Sequence, residues 1–342
     1  MERSGTTAGL RGIHAAGPGV AWACGTNGTV LRTEDGGYEW QQCAMPPGAE
    51  KLDFRGIWAW DANTAIVMSS GTGDLSRLYK TTDGCASWKL VLKNRGKNGF
   101  WDAVIFDGDK AATSDGWLLG DPVRHEFQLR HTVDGGKNWR LERGKAPQAS
   151  PGAQGVFAAS NSALVLLTND LGVRAFPAFG SGGSAGAFFY EPGTLMVCID
   201  ACNEVISPPR SGDWVRAEVP LAGQNDSSGV FSADFRDANH GVAVGGDYRK
   251  SNESAGTAAW SADDGKTWTA AEKMPHGFRS AVEWDADAKA WIAVGTNGSD
   301  ISYDDGKTWV PLDNGNWNAL SLPWVVGPGG RIAKLDPHRL PK

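Results

Sequence analysis

Short apolar runs, most of them carrying one polar residue near the start, recur along the chain: "LRGIHA" from Leu10, "FRGIWA" from Phe54, "FWDAVIF" from Phe100, "GVFAAS" from Gly155, "GVFSADF" from Gly229, "FRSAVEW" from Phe278 and "WNALSL" from Trp317. A second apolar run that ends around glycine comes next, as in "AWACGTNG", "AIVMSSG", "GWLLGDP", "GVAVGGD", "WIAVGTNG" and "PWVVGPGG". The runs are short, rich in Val, Ile, Trp and Phe, and bounded by Gly, Asn, Asp or Pro, which predicts strands rather than helices. A third strand then leads into a recurring box and a fourth leaves it. Four strands per unit, repeated radially, predict an all-β chain folded as a β-propeller.

The box reads Thr-x-Asp-x-Gly-x-x-Trp. It stands as "RTEDGGYEW" at 32–40, "KTTDGCASW" at 80–88, "HTVDGGKNW" at 131–139, "WSADDGKTW" at 260–268 and "ISYDDGKTW" at 301–309, with a decayed copy, "SPPRSGDW", at 207–214. On a hairpin between third and fourth strands this spacing has a structural purpose. The carboxylate accepts turn N–H groups, glycine takes a positive φ, and Trp packs between sheets. A catalytic use would need the Asp residues to converge, and one copy per unit spreads them around a ring.

Counting first strands gives seven blades in a single domain over 1–342, near 8–45, 52–95, 98–145, 153–220, 226–273, 276–314 and 316 to the end. The last is short, and the prolines of "DPHRLPK" make a poor central strand. The expectation is that the residues before Leu10 supply its outer strand and close the ring. The fourth unit carries an apparent insertion at 169–206.

A formal charge of −6 and a pI near 5.6 disfavour nucleic acid, which is bound by basic surfaces. No apolar stretch is long enough to span a bilayer. The start "MERSGTTAGLRG" lacks the apolar core of a leader, so the chain is either cytoplasmic or exported with its leader removed, and export is the favoured reading. The five cysteines are scattered; free thiols are the leading expectation and a Cys198–Cys202 bond the alternative. The six dispersed His offer no metal site, and no motif calls for a cofactor.

Asp boxes of this kind occur in sialidases, sortilin-like receptors, some glycanases and photosystem II assembly factors. The order "LRGI…GTNGTVLRTEDGG", "FWDAV…LLGDP", "HGVAVGGDY" and "FRSAV…AVGTNGSDIS" resembles the bacterial relatives of the photosystem II stability and assembly factor family over about 8–337. That resemblance implies a non-enzymatic seven-bladed propeller that binds a protein client.

Topology places candidate sites. Boxes occupy one face, and the loops after second strands, such as "GDPVRHEF", "GGDYRKSNESAG" and "NDLGVRAFPAFGSGGSAG", emerge on the other. First strands begin near that second face and bring Arg11, Arg55, Asp102, Ser232, Arg279 and Asn318 to matching positions around the channel. Trp101, Asp121, Asp247 and Tyr248 complete the candidate binding set. Each has a structural alternative: the arginines pair with channel carboxylates, the aspartates form turns, and the aromatics pack between blades.

Three functions follow. The first is a scaffold propeller holding a protein or peptide client at an Arg-rich channel mouth. The second is a glycoside hydrolase, sialidase- or glycanase-like, acting on a carbohydrate through carboxylates of the loop-rich face. Against the sialidase form, Tyr190 and Glu191 in "FFYEPG" are adjacent on a strand and point to opposite faces. The third, an oxidoreductase, lacks a dinucleotide motif; "GSGGSAG" at 180–186 reads as a flexible loop.

Overall fold

A computed structural model describes residues 1–108, 110–150, 154–168, 175–193, 213–337 and 340–341. Among them are antiparallel strands, turns and short 3-10 turns such as Gly73–Leu75 and Tyr248–Lys250, and no α-helix. The first unit sets the pattern: Leu10–Gly17, Val20–Gly25, Val30–Thr33 and Gln41–Gln42 pair in chain order, each antiparallel to the next. Residues 54–93, 101–141 and 281–313 repeat it, and 319–334 form three strands. A nine-stranded sheet comprises two four-stranded units, 164–218 and 228–270, which meet where Gly182 pairs with Gly229, and the short strand Gln154–Gly155, which pairs with Gly182 and Gly183. Gly182 is required there, since a Cβ would lie 2.4 Å from the Ser228 carbonyl oxygen.

The apolar core consists of clusters between successive units rather than one mass. Trp22 and Cys24 of the first unit meet Ile57, Val67 and Tyr79 of the second. Ile66, Met68 and Leu78 of the second meet Trp101, Val104 and Leu118 of the third. The series ends where Ala319, Trp324, Val326 and Ile332 pack on Leu10, Ile13 and Leu31, so the last sheet returns to the first and the ring closes. Residues 2–8 lie beside the strand Arg331–Lys334: Glu2 N–H donates to the Ile332 carbonyl (2.8 Å) and Gly330 N–H to that of Ala8 (2.7 Å).

The box has one geometry in all five complete copies. The hydroxyl of Thr33, Thr81, Thr132, Ser261 or Ser302 donates to the Asp two residues on at 2.8–2.9 Å. It accepts the N–H of Gly37, Cys85, Gly136, Gly265 or Gly306 at 3.0–3.1 Å. The Asp in turn accepts N–H groups from the end of the turn, for example Asn138 N–H to Asp134 at 2.9 Å. Both residues after the Asp hold positive φ in every copy, which explains the glycines; Cys85 occupies the same conformation at φ 63°. Hydrogen bonds from the Ser87 hydroxyl and N–H and from Thr81 hold Asp83 down to about 2.

Several expectations fail here. Cys43 and Cys85 are not free thiols but a disulfide, with Cα atoms 5.3 Å apart; only Cys24 is free among the described residues. The packing of the first unit on the second makes the pair, because Cys43 follows the outer strand of the first unit and Cys85 sits on the box turn of the second. Cys198, Cys202 and most of "SPPRSGDW" lie outside the described residues. "GVFAAS" is not a strand beyond Gly155; the fourth unit uses Leu164–Thr168 instead. The supposed insertion contains that unit's next strands, Ala175–Gly183 and Phe188–Pro192. "GSGGSAG" is therefore a strand end and a turn rather than a flexible loop. Likewise "GDPVRHEF" is a hairpin turning at Arg124 and His125, both with positive φ.

Candidate functional site

Two cavities lie on the ring axis, one at each end. The first, about 550 Å³, is on the face opposite the boxes and is lined by Arg11, Arg55, Asp102, Ala158, Phe231, Ser280 and Asn318 of the seven units in turn. The second, about 480 Å³, is lined by residues three positions further along each: His14, Trp58, Ile105, Asn161, Asp234, Glu283 and Ser321. Simple alternation would place residues three apart on opposite faces. Register irregularities at Arg11, Arg55, Asp102 and Phe231 remove the conflict, because each is the unpaired residue of a bulge and its side chain is re-aimed at the axis.

The second cavity is a belt of inter-unit fastenings. Ala59 N–H donates to His14 Nδ1 (3.3 Å), Val104 N–H to Asn161 Oδ1 (2.8 Å), Trp284 N–H to Asp234 Oδ2 (2.8 Å), Leu322 N–H to Glu283 Oε2 (2.9 Å) and Ala15 N–H to Ser321 Oγ (3.0 Å). These side chains satisfy the inner edges of first strands, which have no further strand to pair with. Burial, then the charge of Asp234, raises Glu283 to about 8; burial raises Asp234 to about 6 and lowers His14 to about 4.

The first cavity carries graded chemistry around its wall. Units one and two supply Arg11 and Arg55. Arg55 is held by Asp53, through Nε and a terminal nitrogen at 2.8 Å each, and by the Ala158 carbonyl at 2.9 Å. Arg11 lies 3.3 Å from Asp53 through Nε, and its terminal nitrogens have no partner among the described residues. Burial and then the charge of Arg55 lower its pKa, against the pull of Asp53. The third unit supplies Asp102 and Asp121. Asp102 is 1% exposed with no hydrogen-bond partner on either oxygen among the described residues, and burial, then Asp121, raises its pKa well above the carboxylate range. Asp121 accepts the Val156 N–H (3.0 Å) and is raised by burial.

Aromatic rings form the remaining wall. Phe157 stacks on Phe231 at 3.9 Å between centroids, and Phe278 meets Phe231 edge-on at 4.7 Å. Tyr248, 46% exposed, stands at the rim. A further depression of about 340 Å³ shares Asp121, Val156, Phe157 and Asp226 with this cavity, so the surface continues over the fourth unit.

Six of the ten sequence candidates therefore meet: Arg11, Arg55, Asp102, Asp121, Tyr248 and Asn318. Four do not. Arg279 is wholly buried against Asp300, and Ser280 takes the axial position; aligning Ile13, Ile57, Val104 and Val282 in their strands reveals that register, whereas aligning "LRG", "FRG" and "FRS" hides it. Ser232 is displaced in the same way by the bulged Phe231, and its hydroxyl accepts Val282 N–H (3.0 Å). Trp101 is 1% exposed in the core between the second and third units. Asp247 caps the turn Tyr248–Lys250 by accepting Arg249 N–H (3.0 Å). Sequence reasoning missed Asp53, two residues before Arg55, so the mouth holds more carboxylate than Asp102 alone. Asp226 also lines it but is paired with Arg249 (2.8 Å).

Tyr190 and Glu191 point apart. Tyr190 Oη accepts from Gln154 Nε2 (2.9 Å) in the interface with the third unit, whereas the charges that reach Glu191 are those of Asp264, Lys266 and Asp263 on the fifth. That arrangement contains no tyrosine–glutamate couple of the sialidase kind.

A closed ring of antiparallel sheets with Asp-box turns defines this molecule as a β-propeller. Among solved structures it is similar to YCF48 bound to D1 peptide, with TM-score 0.58, 15% identity and coverage of 96% of this chain and 93% of that one. It is also similar to YCF48 from Cyanidioschyzon merolae, with TM-score 0.55, 19% identity and coverage of 96% and 95%. The GH74 xyloglucanase from Xanthomonas campestris aligns at TM-score 0.36 and 17% identity over 89% of this chain and 50% of that one. No protein-family model and no curated protein matches the sequence. The β-propeller fold that the photosystem II assembly-factor resemblance implied is thus the one observed.

Proposed function

We propose that this chain is a non-enzymatic scaffold that binds a protein or peptide client at the axial cavity of Arg11, Arg55, Asp102, Asp121 and Tyr248. The observation that carries the reading is Arg11, paired with Asp53 through Nε alone and with its terminal nitrogens unpartnered among the described residues, facing an aromatic-walled cavity of about 550 Å³. Such a fork gives two parallel donors to a carboxylate, and the rings offer apolar surface to neighbouring side chains. The similar structure of YCF48 bound to D1 peptide supports a peptide as the occupant. Asp53 is shared between Arg55 and the Nε of Arg11, so the terminal nitrogens of Arg11 take the place at the mouth expected for Arg279.

Panning a displayed random-peptide library on the full chain tests this. Peptides carrying Asp, Glu or a free C-terminus should be enriched, and Arg11→Ala should weaken them by about 1.5–3 kcal/mol, the worth of a charged hydrogen bond. Their binding should also weaken as salt rises. A library that yields no enrichment removes the proposal. The alternative, a glycosidase on the same face, draws on Asp102 and Asp121, whose charges interact. Release of reducing sugar from glycans that Asp102→Asn abolishes would favour it. The Cys43–Cys85 bond supports an oxidising, exported setting.

A further inference from the structure

Asp102 is a buried carboxylate at the cavity that the fold leaves unsatisfied on both oxygens among the described residues. It stands at a bulge with 1% exposure, and neither oxygen has a hydrogen-bond partner. The backbone N–H of Asp121, which also acts on it, is committed to the Phe100 carbonyl at 3.0 Å. The nearby cation, Arg55, is engaged by Asp53 and the Ala158 carbonyl. A buried carboxylate without donors is costly, and a second one beside it raises the cost through repulsion. Asp121 is that second one, and the Val156 N–H satisfies only its Oδ1.

We propose that Asp102 and Asp121 form a subsite for a cationic side chain of the client, the ammonium of Lys or the guanidinium of Arg, while Arg11 receives a carboxylate of the same client. The inference rests on the peptide-binding reading above and narrows it: the client carries both charges. A cation is favoured over a neutral donor because it relieves the repulsion between the two carboxylates as well as supplying several N–H groups at once. Phe100 and Phe157 line the same cavity, and such rings suit the aliphatic stem of a basic side chain and the cation itself. Around the axis the wall then runs from cation in the first two units, through anion in the third, to aromatic in the fourth to sixth.

Phage-displayed random heptapeptides panned on the full chain provide the probe. The expected result is enrichment of sequences that hold Lys or Arg together with Asp or Glu. A fluorescent peptide from that set should bind Asp102→Asn about tenfold or more weakly, the size of a lost charge-assisted hydrogen bond. Its Lys-to-norleucine version should bind parent and variant equally. Asp102→Asn should melt at or above the parent temperature, because it removes a buried carboxyl that has no hydrogen-bond partner and sits beside Asp121. Enrichment of acidic peptides without any basic preference overturns the subsite and leaves peptide binding standing. Absence of all enrichment removes both. An Asp102→Asn protein that unfolds, or that keeps full affinity, makes Asp102 a strut and overturns the inference.

Discussion

Arg279 and Asp300 form an ion pair in which neither side chain reaches solvent: Arg279 Nε donates to Asp300 Oδ2 at 2.6 Å, and Asp300 Oδ1 lies 2.9 Å from His276 Nδ1. Arg279 also donates to Asn297 Oδ1 and the Phe278 carbonyl, each at 2.6 Å. The cluster joins the loop before the first strand of the sixth unit to that unit's third strand. Breaking one side of a buried pair leaves an uncompensated charge, which costs about 3–5 kcal/mol. Arg279→Ala should therefore lower stability by that amount in denaturant titration, while the folded fraction keeps its affinity for selected peptides. A stable variant with lost affinity would return Arg279 to the binding site.

The five boxes act as turn staples. Asp134 accepts the N–H groups of Lys137 and Asn138 at 2.9 Å each and the Asn138 side chain at 2.7 Å. Asp134→Ala leaves those donors without their acceptor and should cost about 1–3 kcal/mol, measured by chemical unfolding, with peptide affinity unchanged because the box lies on the opposite face. Loss of affinity at unchanged stability would assign the box a direct role.

Strands and boxes repeat, so their local chemistry announces them: alternating apolar runs, Asp before two positive-φ residues, Trp closing the turn. Arg11, Arg55, Asp102 and Asn318 were legible because their strands share one register. Arg279 and Ser232 fall off the axis because the bulges and the buried positions Ile13, Ile57, Val104 and Val282 set the register, not the arginines or the strand starts. Asp53 and the Cys43–Cys85 bond were not legible. Both depend on how side chains of the first and second units meet across their interface, a property of the packing between units rather than of any local pattern.

The Cys43–Cys85 bond encloses a sequence separation of 42 residues and ties the first unit to the second. Its loss frees the unfolded chain and removes one fastening of the ring. Under the loop-entropy account a bridge of this span contributes about 2–4 kcal/mol. A Cys43→Ser, Cys85→Ser double variant should fall in stability by that amount, and the parent should show the same fall when measured in reductant. Equal melting of oxidised and reduced parent would mean that the bond does not form in solution.

Glu283 makes the stability of the ring depend on pH. Its carboxyl, raised to about 8 by burial and by Asp234, accepts the Leu322 N–H across the junction between sixth and seventh units. In the unfolded chain the same group titrates near 4.5. A carboxyl whose folded value is raised contributes its full stability below the unfolded value and loses it as pH rises through the folded one. Unfolded chains release this proton first, so stability should decline between about pH 4.5 and 8, with a slope approaching about 1.4 kcal/mol per pH unit from this residue. Asp234, raised to about 6, adds to the decline in the lower part of that window. Glu283→Gln keeps an acceptor for Leu322 N–H and cannot ionise. Its melting temperature should match the parent at pH 5 and exceed it at pH 9, with a flatter profile between. If both proteins lose stability in parallel as pH rises, Glu283 is ionised in the folded ring and its proton is not what couples the two units.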